Sequence, residues 1–142
     1  AAALALGASG VQIGTAFLFT DEASVNPLYR DALKSADVMH SSLTNIFSGR
    51  PARCLANRIV QEAGPMSEAA PAFPKGFAAL AQLRARAEEA ANRDFSAHYC
   101  GQAGALSSPA SAAQMALNLA EDAARRLQWL TGQARHQSGV TG

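Results

Sequence analysis

The chain opens with AAALALGASGVQIGTAFLFT, residues 1–20, and the reading of this stretch decides the fold. Residues 1–6 are all alanine or leucine, two of the best helix formers. Gly7 then stands where a helix stops, because glycine takes the left-handed C′ conformation without steric cost. After a turn at Ser9 and Gly10, the run Val11, Gln12, Ile13 has the character of a short, doubly covered parallel strand. Helix, glycine turn and buried strand together make the αβ joint of a repeating β/α architecture. A secretory leader would carry a basic n-region, and no Lys or Arg precedes Arg30. A membrane span needs about 20 predominantly apolar residues, whereas Gly7, Ser9, Gly10, Gln12, Gly14 and Thr15 interrupt this run. A helix that begins on the first residue with no capping side chain reads as one already under way. The chain is therefore expected to be part of a longer protein.

Outward from this joint the pattern is mainly helical. Asn26-Pro27 predicts an N-cap with proline at N1, opening a helix to about Ala36 with Leu28, Ala32 and Leu33 on one face. Residues 41–47 are strand-like, anchored by Leu43 and Phe47. From Pro51, the spacing of Ala52, Leu55, Ala56 and Ile59 predicts a helix. Residues 63–76, with three prolines and two glycines, form a loop or hinge. A helix is predicted over residues 77–93, a Gly/Ser-rich loop over 99–109, and a further helix from Ala110 to Leu130, followed by a frayed polar tail over 131–142. One strand and several helices do not close a parallel sheet, and a (β/α)8 barrel takes about 250 residues. The segment is thus of the α/β class but mostly α, able to supply the last unit of such a barrel and the elements around it.

Charge and cysteine usage narrow the function. Twelve Lys and Arg stand against eleven Asp and Glu, a net +1, which gives no electrostatic reason to expect nucleic acid or an anionic membrane as partner. Cys54 and Cys100 form no CxxC pair and no zinc pattern. A reduced cytoplasmic pair is favoured over a single bridge. His40, His98 and His136 are scattered without a carboxylate or second ligand at helical spacing, so none marks a metal site or general base.

Four short motifs remain. Gln12-Ile13-Gly14-Thr15 stands at the C-terminal end of the expected strand, the end that faces the active site in α/β barrels, where late loops often bind a phosphate. Gly14 would let a backbone N–H approach an anion, and the Thr15 hydroxyl can donate another bond; alternatively the glycine simply makes a turn. In SGRPAR, residues 48–53, Arg50 and Arg53 at a helix entrance could hold an anion, although exposed or inter-domain salt bridges are the commoner role. CGQAG, residues 100–104, is a flexible loop beside Tyr99, which either stacks on a ligand or anchors the loop. PAFP, residues 71–74, fixes a hinge.

Taken in order, ALALGASGVQIGTAFL, SGRPAR followed by Asn57-Arg58, PAFP and CGQAGAL resemble the C-terminal region of the nitronate monooxygenases, formerly called 2-nitropropane dioxygenases. That family's fold is a TIM barrel binding FMN, with a smaller helical domain over the mouth. The resemblance implies that residues 1–19 end the barrel as its last αβ unit. Residues 20–94 would form the smaller, substrate-side domain, and residues 95–142 would return to the barrel. It implies that Gln12, Ile13, Gly14 and Thr15 hold the FMN phosphate and that Gly101 and Gln102 lie near the active-site entrance. The implied activity is oxidation of an alkyl nitronate with O2 in the cytoplasm. The family's catalytic histidine lies upstream, so no catalytic residue and no metal are expected in this segment. Cys54, where glycine is usual, and His98-Tyr99-Cys100, where Trp and Ala are usual, depart from the pattern and put the substrate in doubt.

Two alternatives stand beside this reading. An FMN enzyme on the same fold could take electrons from NAD(P)H as a quinone or enoyl-thioester reductase, since a shared fold does not fix the reaction. A helical interaction domain without catalysis would explain the alanine-rich helices but not the apolar start. Without the remaining barrel, residues 1–142 are expected to be poorly soluble or oligomeric and to hold FMN loosely.

Overall fold

The structure is a computed structural model that describes residues 1–138. Gly7 ends the first helix as the sequence predicts. Helix α1 (Ala2–Ala5) closes with Gly7 at φ +94°. The Gly7 N–H donates to the Leu4 carbonyl and the Ala8 N–H to the Ala3 carbonyl, both at 3.0 Å. These paired bonds are a Schellman cap. The strand expected at Val11–Ile13 is not formed. Residues 8–14 are irregular, Val11 and Ile13 are exposed, and no segment pairs with them among the described residues. A strand exists through its ladder partner, and three apolar residues cannot impose the conformation alone. The chain instead enters a 3-10 turn, Thr15–Phe19, that buries Phe19.

Helix α2 (Pro27–Lys34) begins where Asn26-Pro27 places it, with Asn26 Oδ1 accepting from the Tyr29 N–H at 2.7 Å. It stops short of Ala36 because Ser35 caps a separate 3-10 turn, Ala36–Met39, its Oγ accepting from the Asp37 N–H at 3.2 Å. Strand β1 (Ser41–Thr44) follows.

The helix expected from Pro51 is overturned. Ala52–Leu55 is strand β2, antiparallel to β1 with Ser41 opposite Leu55 and Thr44 opposite Ala52. Its other edge also pairs: the Leu55 N–H donates to the His98 carbonyl at 2.8 Å and the Cys100 N–H to the Arg53 carbonyl at 3.1 Å. Two of the four helix-spaced residues are alanines, which gain little by facing a core, whereas as a strand the segment fills its hydrogen bonds on both edges. The helical cap lies further on: Asn57 Oδ1 accepts from the Val60 N–H at 3.4 Å and opens α3 (Arg58–Ala63).

The loop read from the prolines runs between α3 and α4 (Gly76–Glu89). It is pinned by Asn45, whose side chain both donates to the Ser67 carbonyl and accepts from the Ser67 N–H, each at 2.9 Å. At Gly49, φ is +85° and an added Cβ would stand 2.2 Å from the Pro71 carbonyl oxygen. The SGRPAR and PAFP motifs are therefore packed backbone to backbone. A short 3-10 turn, Gly104–Leu106, leads to α5 (Ala112–Ser138). That helix continues past Leu130, through residues expected to fray; residues 139–142 and the side chain of His136 lie outside the described part.

Alternation along β2 splits the core in two. Leu55 joins Phe19, Ala32, Leu33, Val38 and Cys100 on one side. Cys54 joins Phe47 and Val60 on the other, with Ile59, Leu80 and Ala97 against them. The first cluster draws on residues before 20, between 32 and 55, and after 95, so all three expected segments meet in it.

Candidate functional site

Two segments some ninety residues apart in sequence form one open cleft of about 400 Å3. Gln12, Ile13, Gly14 and Thr15 line one side and Gly101 and Gln102 the other, with Ala16, Ala103, Gly104 and Ser107 completing the wall. All six residues singled out from the sequence are therefore brought together. Among the described residues one hydrogen bond joins the two walls, the Gly101 N–H donating to Thr15 Oγ1 at 2.9 Å. A threonine hydroxyl has one proton and two lone pairs. Having accepted from Gly101, Thr15 keeps its own proton to donate to a ligand in the cleft.

Gly14 stands on the open side, with no atom within 4 Å of the place a Cβ would take. None of the described residues demands glycine there, so its bareness leaves backbone accessible to something from outside. The lining contains no Lys, Arg, Asp or Glu. What this chain itself offers an anion in the cleft is therefore N–H and O–H dipoles rather than a point charge. The phosphate end of FMN fits this donor set: a free hydroxyl, exposed backbone at a glycine, and small apolar walls from Ile13, Ala16 and Ala103. Only that end is accounted for by these residues.

The other sequence candidates lie elsewhere and do other work. Arg50 stacks over the Phe73 ring, 4.6 Å from its centroid. Arg53, on β2 rather than at a helix entrance, donates to the Ser41 carbonyl at 3.0 Å. Among the described residues neither arginine forms an ion pair; Arg50 packs on Phe73 and Arg53 ties β2 to β1. Tyr99 anchors its loop: it sits opposite Cys54 in a bridge, and its carbonyl accepts from the Tyr29 hydroxyl.

Cys54 and Cys100 are both free and buried. Their neighbours in the ladder place the two thiols in different core clusters. Burial, with a smaller push from Cys100, raises the Cys54 thiol to about 12, and burial raises Cys100 as well. Neither is a thiolate nucleophile at neutral pH. Among the described residues no group of three or more His, Cys, Asp or Glu is placed to hold a metal, and no helix is long and apolar enough to cross a membrane.

His98 has surroundings that its sequence position does not reveal. It is buried and stacked on Tyr29, ring centroids 4.5 Å apart and planes 6° from parallel. Its Nε2 has no hydrogen-bond partner among the described atoms. Burial pushes its pKa down to about 4, Glu88 opposing and Arg93 assisting. The imidazole is thus neutral at pH 7. Nothing in the sequence around His98 separates it from His40, because its surroundings, Tyr29 and Ala32 among them, come from distant parts of the chain.

Residues 1–122 match the family model described as nitronate monooxygenase. The nitronate monooxygenase of Pseudomonas aeruginosa is 41% identical over 122 residues, covering 85% of this chain and 35% of that protein. The nitronate monooxygenase of Paraburkholderia phytofirmans is 35% identical over 131 residues, covering 92% and 36%. A nitroalkane oxidase from Streptomyces ansochromogenes superposes with TM-score 0.80 at 36% identity, over 91% of this chain and 37% of the other. A FabK mutant from Thermotoga maritima superposes with TM-score 0.63 over 92% and 38%; at 23% identity that likeness concerns the fold alone. The chain spans about a third of the length of the curated relatives, matching their C-terminal part.

Proposed function

The chain belongs to the nitronate monooxygenase family, and from that premise we propose that it is the C-terminal portion of an FMN-dependent, cytoplasmic (β/α)8-barrel enzyme that oxidises alkyl nitronates with O2. Residues 1–19 end the barrel, 20–94 form the smaller domain, and 95–142 return to the barrel. The observation that carries the reading is the convergence of Gln12–Thr15 with Gly101 and Gln102 on one cleft, with a Thr15 hydroxyl proton left free. This agrees with the general placement of phosphate sites at the late loops of α/β barrels.

FMN, when bound, supplies the electron transfer and the reaction with O2, leaving binding and orientation to the protein. In this chain the Gly14 N–H and Thr15 hydroxyl hold the phosphate, and Gln12 orients the cofactor. Gly101 both fixes Thr15 and, with Gln102, edges the substrate entrance. The catalytic histidine that the family resemblance implies lies outside the segment. His98 is unsuited to that work: it is buried under Tyr29 and does not line the cleft.

The test uses the full-length protein. Thr15→Val removes the hydroxyl while keeping the volume, and a hydrogen bond to a charged group contributes about 1.5–3 kcal/mol. FMN affinity measured by fluorescence titration should fall roughly tenfold or more, while riboflavin, which lacks the phosphate, binds as before. Equal affinity of wild type and variant for FMN would remove Thr15 from the phosphate site. The reaction is checked with an oxygen electrode. Alkyl nitronate should drive O2 uptake, and NAD(P)H oxidation with a quinone in its place would make the protein a reductase.

A further inference from the structure

Gly104 sits at the back of the cleft, buried, at the start of the 3-10 turn that follows Gly101. A Cβ added there would stand 2.6 Å from Cys100 Sγ, 2.9 Å from Val38 Cγ2 and 3.4 Å from Thr15 Cγ2. These three atoms belong to three segments: the residue just before the turn, the 3-10 turn Ala36–Met39, and the cleft's other wall. The backbone at Gly104 is not left-handed, so packing rather than conformation calls for glycine. Gly14, with nothing within 4 Å, is the opposite case.

We propose that Gly104 is a positioning residue for the cleft. Its missing side chain lets the 101–104 turn dock on Thr15 closely enough for the Gly101 N–H to fix the Thr15 hydroxyl, and so sets how firmly the cleft holds the phosphate end of the flavin. The inference rests on the phosphate reading above. Val38 and Cys100 cannot yield, since both are buried in the cluster with Phe19, Leu33 and Leu55, and close-packed interiors transmit strain rather than absorb it. The Gly104 N–H donates to the Gly101 carbonyl at 3.0 Å, and the Ser107 N–H to the Gly104 carbonyl at 3.0 Å. The turn therefore moves as a unit, and a displaced Gly104 carries Gly101 off Thr15 Oγ1, now 2.9 Å away.

The experiment measures the affinity of the full-length apoprotein for FMN and for riboflavin, whose ratio isolates the phosphate contribution. Thr15→Val is the reference and should lower the ratio roughly tenfold or more. Gly104→Ala is expected to lower it by a similar factor, with riboflavin affinity unchanged within about twofold. The pair Thr15→Val with Gly104→Ala should lose no more than the single changes, because both act on one bond. A Gly104→Ala protein that keeps the wild-type ratio while Thr15→Val lowers it overturns the inference and leaves the phosphate reading standing. So does a Gly104→Ala protein that loses both ligands alike, or additive losses in the pair. A Thr15→Val protein with an unchanged ratio overturns the reading and the inference together. If Gly104→Ala does not fold, Cys100→Ala with Gly104→Ala removes the nearest clash but keeps those at Val38 and Thr15. Its ratio should fall between wild type and Thr15→Val, and a ratio equal to that of Cys100→Ala alone refutes the role.

Discussion

Leu33, Cys54 and Cys100 are sealed at 2%, 1% and 2% exposure, whereas Leu6 and Leu106 stand 89% and 87% exposed, and Val11, Leu117 and Trp129 more than half. The first group lies in the body between Thr15 and Gly104, where segments distant in sequence close on one another. The second lies on the first fourteen residues, on the turn after the cleft, and on α5. The body encloses this first group but leaves Met39, Met66 and Phe73 more than half exposed on its own surface, while the arms bury little and carry an apolar surface of the kind that awaits another surface. The cleft is at the seam, with one wall from each.

The comparison is most exposed to a test of association. Residues 1–142 alone should sediment as oligomers and bind FMN more weakly than micromolar, because the arms lack cover; a monomeric, cooperatively melting species with micromolar FMN affinity would break the contrast. Next in size, Leu33→Ala in the full-length protein should cost about 2–5 kcal/mol in urea unfolding, the range for truncating a buried leucine. A cost near zero would mean that the body is not a closed core.

Protonation of His98 probes the same body from within. Its folded-state pKa is about 4 against an ordinary 6.5, so below 6.5 the unfolded chain binds the proton that the folded chain refuses. Stability should be lost as pH falls from about 6.5 to about 4, by no more than about 3 kcal/mol. His98→Phe, which keeps the stack on Tyr29, should flatten that slope between pH 7.5 and 5; an equal slope in both proteins would assign it elsewhere. Smallest is Arg50→Ala, which loses the cation–π contact with Phe73 and should cost about 0.5–1 kcal/mol, read as a small shift in the same unfolding midpoint.

Legibility in the sequence follows a similar division. Signals that act within a few residues were readable: Gly7 as a stop, Asn26-Pro27 as a start, the prolines of the loop before α4. Signals that depend on a partner were not. Ala52 to Leu55 carries helix spacing, yet β1 on one edge and His98 to Cys100 on the other make it a strand. Val11 to Ile13 carries strand composition and, with no ladder beside it, forms none. The residues of the cleft were picked out by the family resemblance, since their types alone suit a plain turn as well as an anion, and the construction of the cleft was not legible. The bond from Gly101 to Thr15 and the packing at Gly104 span 86 and 89 positions respectively (101 less 15, and 104 less 15), and no local pattern records them.

The opposed cysteines of β2 and its neighbour turn the body into something that can be timed. Each thiol is closed off by its own half of the core, Cys54 beside Phe47 and Val60, Cys100 beside Leu33 and Leu55. An alkylating reagent reaches either one only when that half breathes, and local opening of this kind has its own free energy on each side. The two alkylation rates are thus independent clocks, already installed, for the separate loosening of the halves.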